Sequence, residues 1–444
     1  MKHCQRMEWY RTKSPGEIYA SRKGTVQDAL DLLQDGDCVL WASHGSEPKV
    51  FLSNLHTIAP RLKGQLECWT CIDRFEYPVT SQGMYADKFH INTFFYDKWA
   101  GGARESGLYS YFPVNQHNYG QELHRTLRPN VFVAQVSPMD RHGYVHLSCD
   151  LICTLENLYA ADKVMFEVNA QTPMVGGECA VPIALADVVY EVDEPLYELA
   201  DPPIGQADKT IAGYVAEMVQ DGDCIQLGFG GIPNAIGFDL MDKHDLGIHT
   251  EQIGTSMAHL MAAGAVTNRL KTLDRGITVG TFISGDRYLY DFVHQHPRIS
   301  LRRSRYTNDP MIIAQNDNVV SINAALQVDL TGQVAAESIG PKQHSGTGGA
   351  TDFAYGAYHS KGGRAILAQT ATTKQGTLSR IVPILVPGAI VSVSRNLTDM
   401  VVTEYGVAKL RQRTVRQRVE NLIAVSHPDF RAELRQEANR YLYY

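Results

Sequence analysis

Two stretches, half a chain apart, carry the same order of apolar and polar positions. In the first, Val26, Ala29, Leu30 and Leu33 fall at helical spacing, the polar run Gln34-Asp-Gly-Asp37 follows, and Val39–Trp41 is apolar throughout. In the second, Ile211, Val215, Met218 and Val219 precede Gln220-Asp-Gly-Asp223, and Ile225–Leu227 comes next. Apolar positions three and four apart predict a helix with one buried face, and a short unbroken apolar run predicts a buried strand. The pentapeptide Gln-Asp-Gly-Asp-Cys marks the junction in both copies, so the chain reads as two structurally similar halves.

Strand-like runs alternate with helical ones almost throughout. In the first half they are Val39–Ala42, Leu66–Ile72, Val131–Ser137 and Lys163–Asn169. In the second they are Ile225–Phe229, Gly247–Thr250, Thr278–Ile283, Val319–Ala324, Ala365–Gln369 and Ile390–Ser394. Apolar strands between helices predict an α/β protein with two open, parallel sheets. The acidic, proline-bearing segment Val189–Gly205 has no period and is the expected linker, which divides the chain into 1–199 and 200–444. The C-terminal stretch Pro428–Asn439 reads as a helix.

Composition narrows the function. A chain that is 44% hydrophobic, 20% charged and −7 in net charge is that of a globular protein and argues against a nucleic-acid binder. The basic cluster Arg302, Arg303 and Arg305 reads as a solvated loop before a phosphate site. Met1–Ser14 is polar, and the longest apolar stretch, Ile381–Val393, is broken by Pro383 and Pro387. The expectation is a cytoplasmic protein with no membrane contact. Cys68-Trp-Thr-Cys71 has metal-ligand spacing, but it lies on an apolar strand where cysteine serves as a small hydrophobe, so no metal is expected.

Three segments could carry chemistry. Gly228-Phe-Gly-Gly-Ile-Pro233 lies between a strand and a helix expected over Asn234–Met241. Its glycines let backbone N–H groups approach an anion, although Pro233 rules out the dinucleotide fingerprint. Ser345-Gly-Thr-Gly-Gly-Ala-Thr-Asp-Phe353 suits an anion-binding nest. Leu246–Glu251 is a short strand ending in a carboxylate, which at that edge of an open sheet could act as base or nucleophile. Each has a plain alternative: a tight turn, a surface loop, a helix cap.

Together with Ser137-Pro-Met-Asp-Arg-His-Gly-Tyr144, Val328-Asp-Leu-Thr-Gly-Gln-Val334, Val402-Thr-Glu-Tyr-Gly406 and His427-Pro-Asp-Phe430, these motifs resemble the acetyl-CoA hydrolase/transferase family. That group includes 4-hydroxybutyrate, butyrate and itaconate CoA-transferases, and the resemblance runs over nearly the whole chain. It implies two similar α/β domains with the active site in the crevice between them, and a homodimer or higher homo-oligomer. It also implies acyl-CoA and small carboxylate substrates, and no cofactor, because CoA is a substrate held covalently in an intermediate. Glu251 matches the family's nucleophile and Gly228, Phe229, Gly230, Gly231 and Ile232 its CoA loop. Gly349 and Asn396 match CoA contacts, and Gly376 stands where an oxyanion-stabilising N–H is expected. The first domain would serve the acyl side, with Trp41, His44 and Glu47 near the acyl group. A hydrolase or a non-catalytic acyl-CoA-binding protein on the same scaffold stays open. The segment Gln252–Met257 after the nucleophile, and Ala335, depart from the family pattern.

Overall fold

The structure is a computed structural model that describes residues 8, 12–99, 106–199, 203–228, 230–373 and 376–441. It divides into two compact units, Met1–Leu199 with Thr281–Arg305, and Ala200–Gly280 with Tyr306–Tyr444. A two-block division of the sequence does not contain the excursion of Thr281–Arg305 into the first unit.

The first unit is built on seven parallel strands: β1 (Cys38–Trp41), β2 (Leu66–Thr70), β3 (Phe89–Thr93), β4 (Tyr109–Tyr111), β5 (Val131–Val136), β6 (Lys163–Asn169) and β7 (Val188–Val192). They run in the order β4-β3-β2-β1-β5-β6-β7. The second unit contains β8 (Cys224–Leu227), β9 (Gly247–Ile248), β10 (Val319–Ala324), β11 (Arg364–Ala368), β12 (Met400–Thr403) and β13 (Gly406–Lys409). Their order is β9-β8-β10-β11-β12-β13, parallel except for the antiparallel edge strand β13. The run β2-β1-β5-β6-β7 of one sheet thus recurs as β9-β8-β10-β11-β12 in the other. Helices α1 (Val26–Asp31) and α2 (Gln206–Met218) enter β1 and β8 and bury the apolar positions that the spacing marked, among them Ala29, Leu30, Ile211 and Val215.

The repeated pentapeptide has a physical reason in both copies. Gly36 and Gly222 each hold φ at +82°, the left-handed region that an Asp-Gly turn needs. The first aspartate ties the turn to the next strand's approach: Asp35 accepts from the N–H groups of Lys63 and Gly64, and Asp221 from that of His244. The second folds back to accept the N–H of Gln34 (2.8 Å) or Gln220 (2.6 Å). That aspartate is buried and takes a cation from across the sheet, Lys163 for Asp37 (2.7 Å) and Arg364 for Asp223. A buried carboxylate without such a partner would be costly, which is why the ion pair recurs with the turn.

Four expectations change. Ile390–Ser394 is no strand. Ile390 and Val391 are exposed and only Val393 makes a bridge, to Val334, while the next sheet strand is Met400–Thr403. Thr278–Ile283 breaks into Thr278–Gly280 and Phe282–Ile283 at the point where the second unit hands the chain to the first. The expected linker begins later, because Val188–Val192 completes the first sheet. The C-terminal helix is Arg431–Arg440 after a single turn at Pro428–Phe430.

Candidate active site

Glu251 follows β9 by a construction that can be read residue by residue. The N–H of His249 donates to Ile225 of β8, and the N–H of Thr250 donates to the carbonyl of Val279. The Thr250 hydroxyl donates to the carbonyl of Gln252 (3.1 Å), which closes the turn around Glu251. His249 is buried, and its Nε2–H donates to the carbonyl of Thr307 (2.9 Å). The next residue, Asn308, is buried and donates from Nδ2 to Glu251 Oε2 (3.0 Å). His249 therefore positions the amide that orients the carboxylate.

The second glycine segment completes this corner. Gly349 caps the helix α4 (Ala350–His359), and a Cβ built on it would stand 1.8 Å from Glu251 Oε2 and 2.4 Å from Asn308 Nδ2. Only glycine lets the carboxylate come this close to the start of a helix, where unpaired N–H groups favour negative charge. Glu337 fixes the loop leading there. Its carbonyl accepts from the N–H groups of His344 and Ser345, and its carboxylate accepts from Ser392 Oγ (2.9 Å) and Gln343 Nε2 (2.8 Å).

The first glycine segment leaves the neighbouring strand at the same edge of the sheet. Gly228 lies against β10, its N–H donating to Ile322, and a Cβ there would meet Asn323 Oδ1 at 2.8 Å. Asn323 and Gln226 exchange two amide hydrogen bonds of 3.0 and 3.1 Å and hold that wall flat. Gly230 has φ +131° and caps α3 (Gly231–Asp239), which therefore starts three residues earlier than expected and takes Gly231 and Ile232 into its first turn. Phe229 lies outside the described residues.

Two further candidates make local backbone hydrogen bonds. The N–H of Gly376 donates to the carbonyl of Thr373 (2.8 Å) in an exposed turn with φ +68°, so its donor is already committed. Asn396 is exposed, and its N–H donates to Ser394 Oγ.

In the first unit, Trp41, His44 and Glu47 are buried at the end of β1. Glu47 accepts from the N–H of Arg74 (2.7 Å) and from the hydroxyl of Tyr77, and burial pushes its carboxyl well up. Burial, and then the Arg74 charge, keep His44 neutral. Ser43 Oγ donates to Asp150 (2.9 Å), so His44 Nδ1 is the donor towards Ser43 (2.9 Å) and Nε2 remains an acceptor with no hydrogen-bond partner. Trp41 Nε1 and Thr70 Oγ1 both donate to Asp73 Oδ1 (2.9 and 2.7 Å), and Oδ2 is buried without a partner. Burial, and then the Asp97 charge, push Asp73 up to about 7.

A folded-state pKa above the ordinary value stabilises the protein below the unfolded pKa, and that stability is lost as pH rises through the folded one. Asp73→Asn, neutral at every pH, is therefore expected to show a smaller fall in Tm than the parent between about pH 5 and about pH 8. Parallel thermal melts check this, and identical pH slopes would remove the buried proton from Asp73.

Sequence reasoning missed Asn308, Asn323 and Gln226. Asn323 and Gln226 sit within apolar strands, and Asn308 belongs to no motif. Their roles arise only once the strands are side by side.

The chain matches the acetyl-CoA hydrolase/transferase N-terminal domain over residues 1–198 and the C-terminal domain of that family over 285–438. It is 43% identical over 429 residues to a succinyl-CoA:cyclohexane-1-carboxylate CoA transferase from Geobacter metallireducens, covering 95% of this chain and 96% of that one. It is 37% identical to the 4-hydroxybutyrate coenzyme A transferase of Clostridium kluyveri, covering 97% and 99%. The crystal structure of RipA from Yersinia pestis superposes with a TM-score of 0.93 at 34% identity, over 97% of this chain and all of that one. An acetyl-CoA hydrolase from Neurospora crassa is more distant, at 23% over 71% of this chain. The corner around Glu251, the two glycine segments and these full-length matches lead to one conclusion: the chain belongs to the acetyl-CoA hydrolase/transferase family.

Proposed function

We propose that the protein is an acyl-CoA:carboxylate CoA-transferase that moves CoA between small carboxylic acids through a glutamyl-CoA thioester on Glu251. The observation that carries this reading is the Glu251 carboxylate itself, hydrogen-bonded to Asn308 and set against Gly349 at the start of α4. A Glu251 oxygen attacks the thioester carbonyl of the donor, the C–S bond breaks, and CoA thiolate leaves behind a mixed anhydride. The thiolate then attacks the Glu251 carbonyl carbon, releasing the donor acid and forming the thioester to the enzyme. An acceptor carboxylate runs the same steps in reverse. No water or external proton is consumed, so carboxylate exchange needs only one well-placed nucleophile and donors for the developing oxyanion. The N–H groups at the start of α4, beside Gly349, suit that last task better than the committed N–H of Gly376.

In this reading CoA lies over Gly228–Ile232, the segment that leaves the strand beside Glu251. The physiological acid belongs to the short-chain and small dicarboxylic class, itaconate included, and the working form is a homodimer or higher homo-oligomer in the cytoplasm. Gly230→Val is expected to weaken CoA binding by at least about tenfold, because φ +131° excludes a branched side chain and the loop must move. Calorimetry with CoA checks this, and an unchanged affinity would take the loop out of the CoA site.

The reaction type has its own test. Donor acyl-CoA with excess carboxylate should yield the acceptor's CoA ester mole for mole, with free thiol staying at background. Thiol release that matches donor consumption would make the protein a hydrolase instead.

A further inference from the structure

The second unit has a cavity of about 480 Å³ at the edge of its sheet opposite Glu251. It opens where β11 and β12 begin and β13 ends, since Arg364, Met400 and Lys409 line it and Met400 pairs with Lys409. Glu251 and Gly228 follow the other ends of the parallel strands. Five residues of β11 separate the two edges, on the order of 16 Å at strand rise.

Four cations line this cavity, Arg364, Lys409, Arg411 and Arg413, against one carboxylate, Asp399. That local excess of positive charge stands out in a chain whose net charge is −7. The internal repeat separates what the fold requires from what it does not. Asp399 accepts from the N–H of Ala365, as Asp187 accepts from that of Val164 at the matching place in the first sheet. Arg364 pairs with Asp223 as Lys163 pairs with Asp37. This acid–base frame is common to both units. Lys409, Arg411 and Arg413 come from β13 and the turn after it, and among the described residues the first sheet ends at β7 with no such strand.

Arg411 is held in place: it donates to the carbonyl of Tyr358 (3.0 Å) and lies 4.2 Å over that ring. The Arg413 side chain donates to the adjacent carbonyl of Gln412 (3.2 Å), and both Arg413 and Lys409 are exposed. Arg364 Nε is buried and has no hydrogen-bond partner. Guanidinium forks with a lysine nearby match tetrahedral oxyanions carrying more than one charge, and Met218 and Met400 supply an apolar wall.

We infer that this cavity is a binding site for a small phosphate-bearing anion, separate from the CoA-transfer site. The size fits a diphosphate group with a modest organic part.

Pyrophosphate is the probe, titrated calorimetrically into the full-length protein at constant ionic strength. Saturable binding is expected with Kd below about 1 mM. Lys409→Gln/Arg413→Gln is expected to weaken it at least about tenfold while CoA affinity and transfer activity stay at parental values. Both side chains are exposed, so the pair is expected to fold, and Lys409→Gln alone gives the same comparison on a smaller scale. Gly230→Val should leave pyrophosphate binding intact. No saturable binding, equal affinity in the double variant, or loss in Gly230→Val alone would each overturn the inference.

Discussion

Glu251→Gln is expected to fold, to bind acyl-CoA, and to lose transfer by about 10³-fold or more. The amide has the size of the carboxylate, and its oxygen can still accept from Asn308 Nδ2, so the corner should keep its shape. What disappears is the nucleophile, because an amide oxygen does not open a thioester at a useful rate. Glu337→Gln and Glu404→Gln provide the contrast. Glu337 receives bonds from Ser392 and Gln343, and Glu404 accepts the N–H of Ala371 (2.8 Å). An amide keeps the one oxygen that accepts at Glu404 and one of the two that accept at Glu337, so both variants should retain far more activity than Glu251→Gln. Steady-state rates for the three purified variants decide the matter. Full transfer in Glu251→Gln, or equal loss in all three, would detach catalysis from Glu251.

Gly349→Ala tests the geometry rather than the nucleophile. The added methyl would need to occupy space 1.8 Å from Glu251 Oε2. The cheapest relief is to swing the end of a flexible side chain, so the fold should persist while the carboxylate moves off line. Displacements of about 1 Å cost on the order of 10²-fold in rate, and transfer is expected to fall by that much with CoA affinity little changed. Thermal melts and CoA titration establish the fold and the binding. Parental turnover in a folded Gly349→Ala would mean that Glu251 does not work where it stands in the structure.

The parts legible in the sequence were those carried by local rules. The pentapeptide announced the repeat because its Asp-Gly turn and its second aspartate do the same work twice, and the apolar runs at Val131 and Val319 placed the central strands. Ile390–Ser394 misled because apolar residues after Pro387 can be exposed as well as buried, and nothing local tells the two apart. Within the site, Glu251, Gly228 and Gly349 were visible through motif and resemblance. The reason for Gly349 was not, since it lies in a contact across about a hundred residues of chain. Asn308 was hidden for the same reason, and so was the commitment of the Gly376 N–H to its own turn. Local chemistry shows in a sequence, whereas a partner brought by the sheet does not.

The proposed mechanism requires a covalent bond between CoA and one carboxylate. The protein should be incubated with an acyl-CoA and no acceptor, desalted quickly, and weighed intact by mass spectrometry. A mass increase of one CoA less water is expected, removed by adding a carboxylate acceptor, absent from Glu251→Gln, and mapped by peptide sequencing to Glu251. An adduct on any other residue, or transfer that proceeds with no adduct at any time, would contradict it.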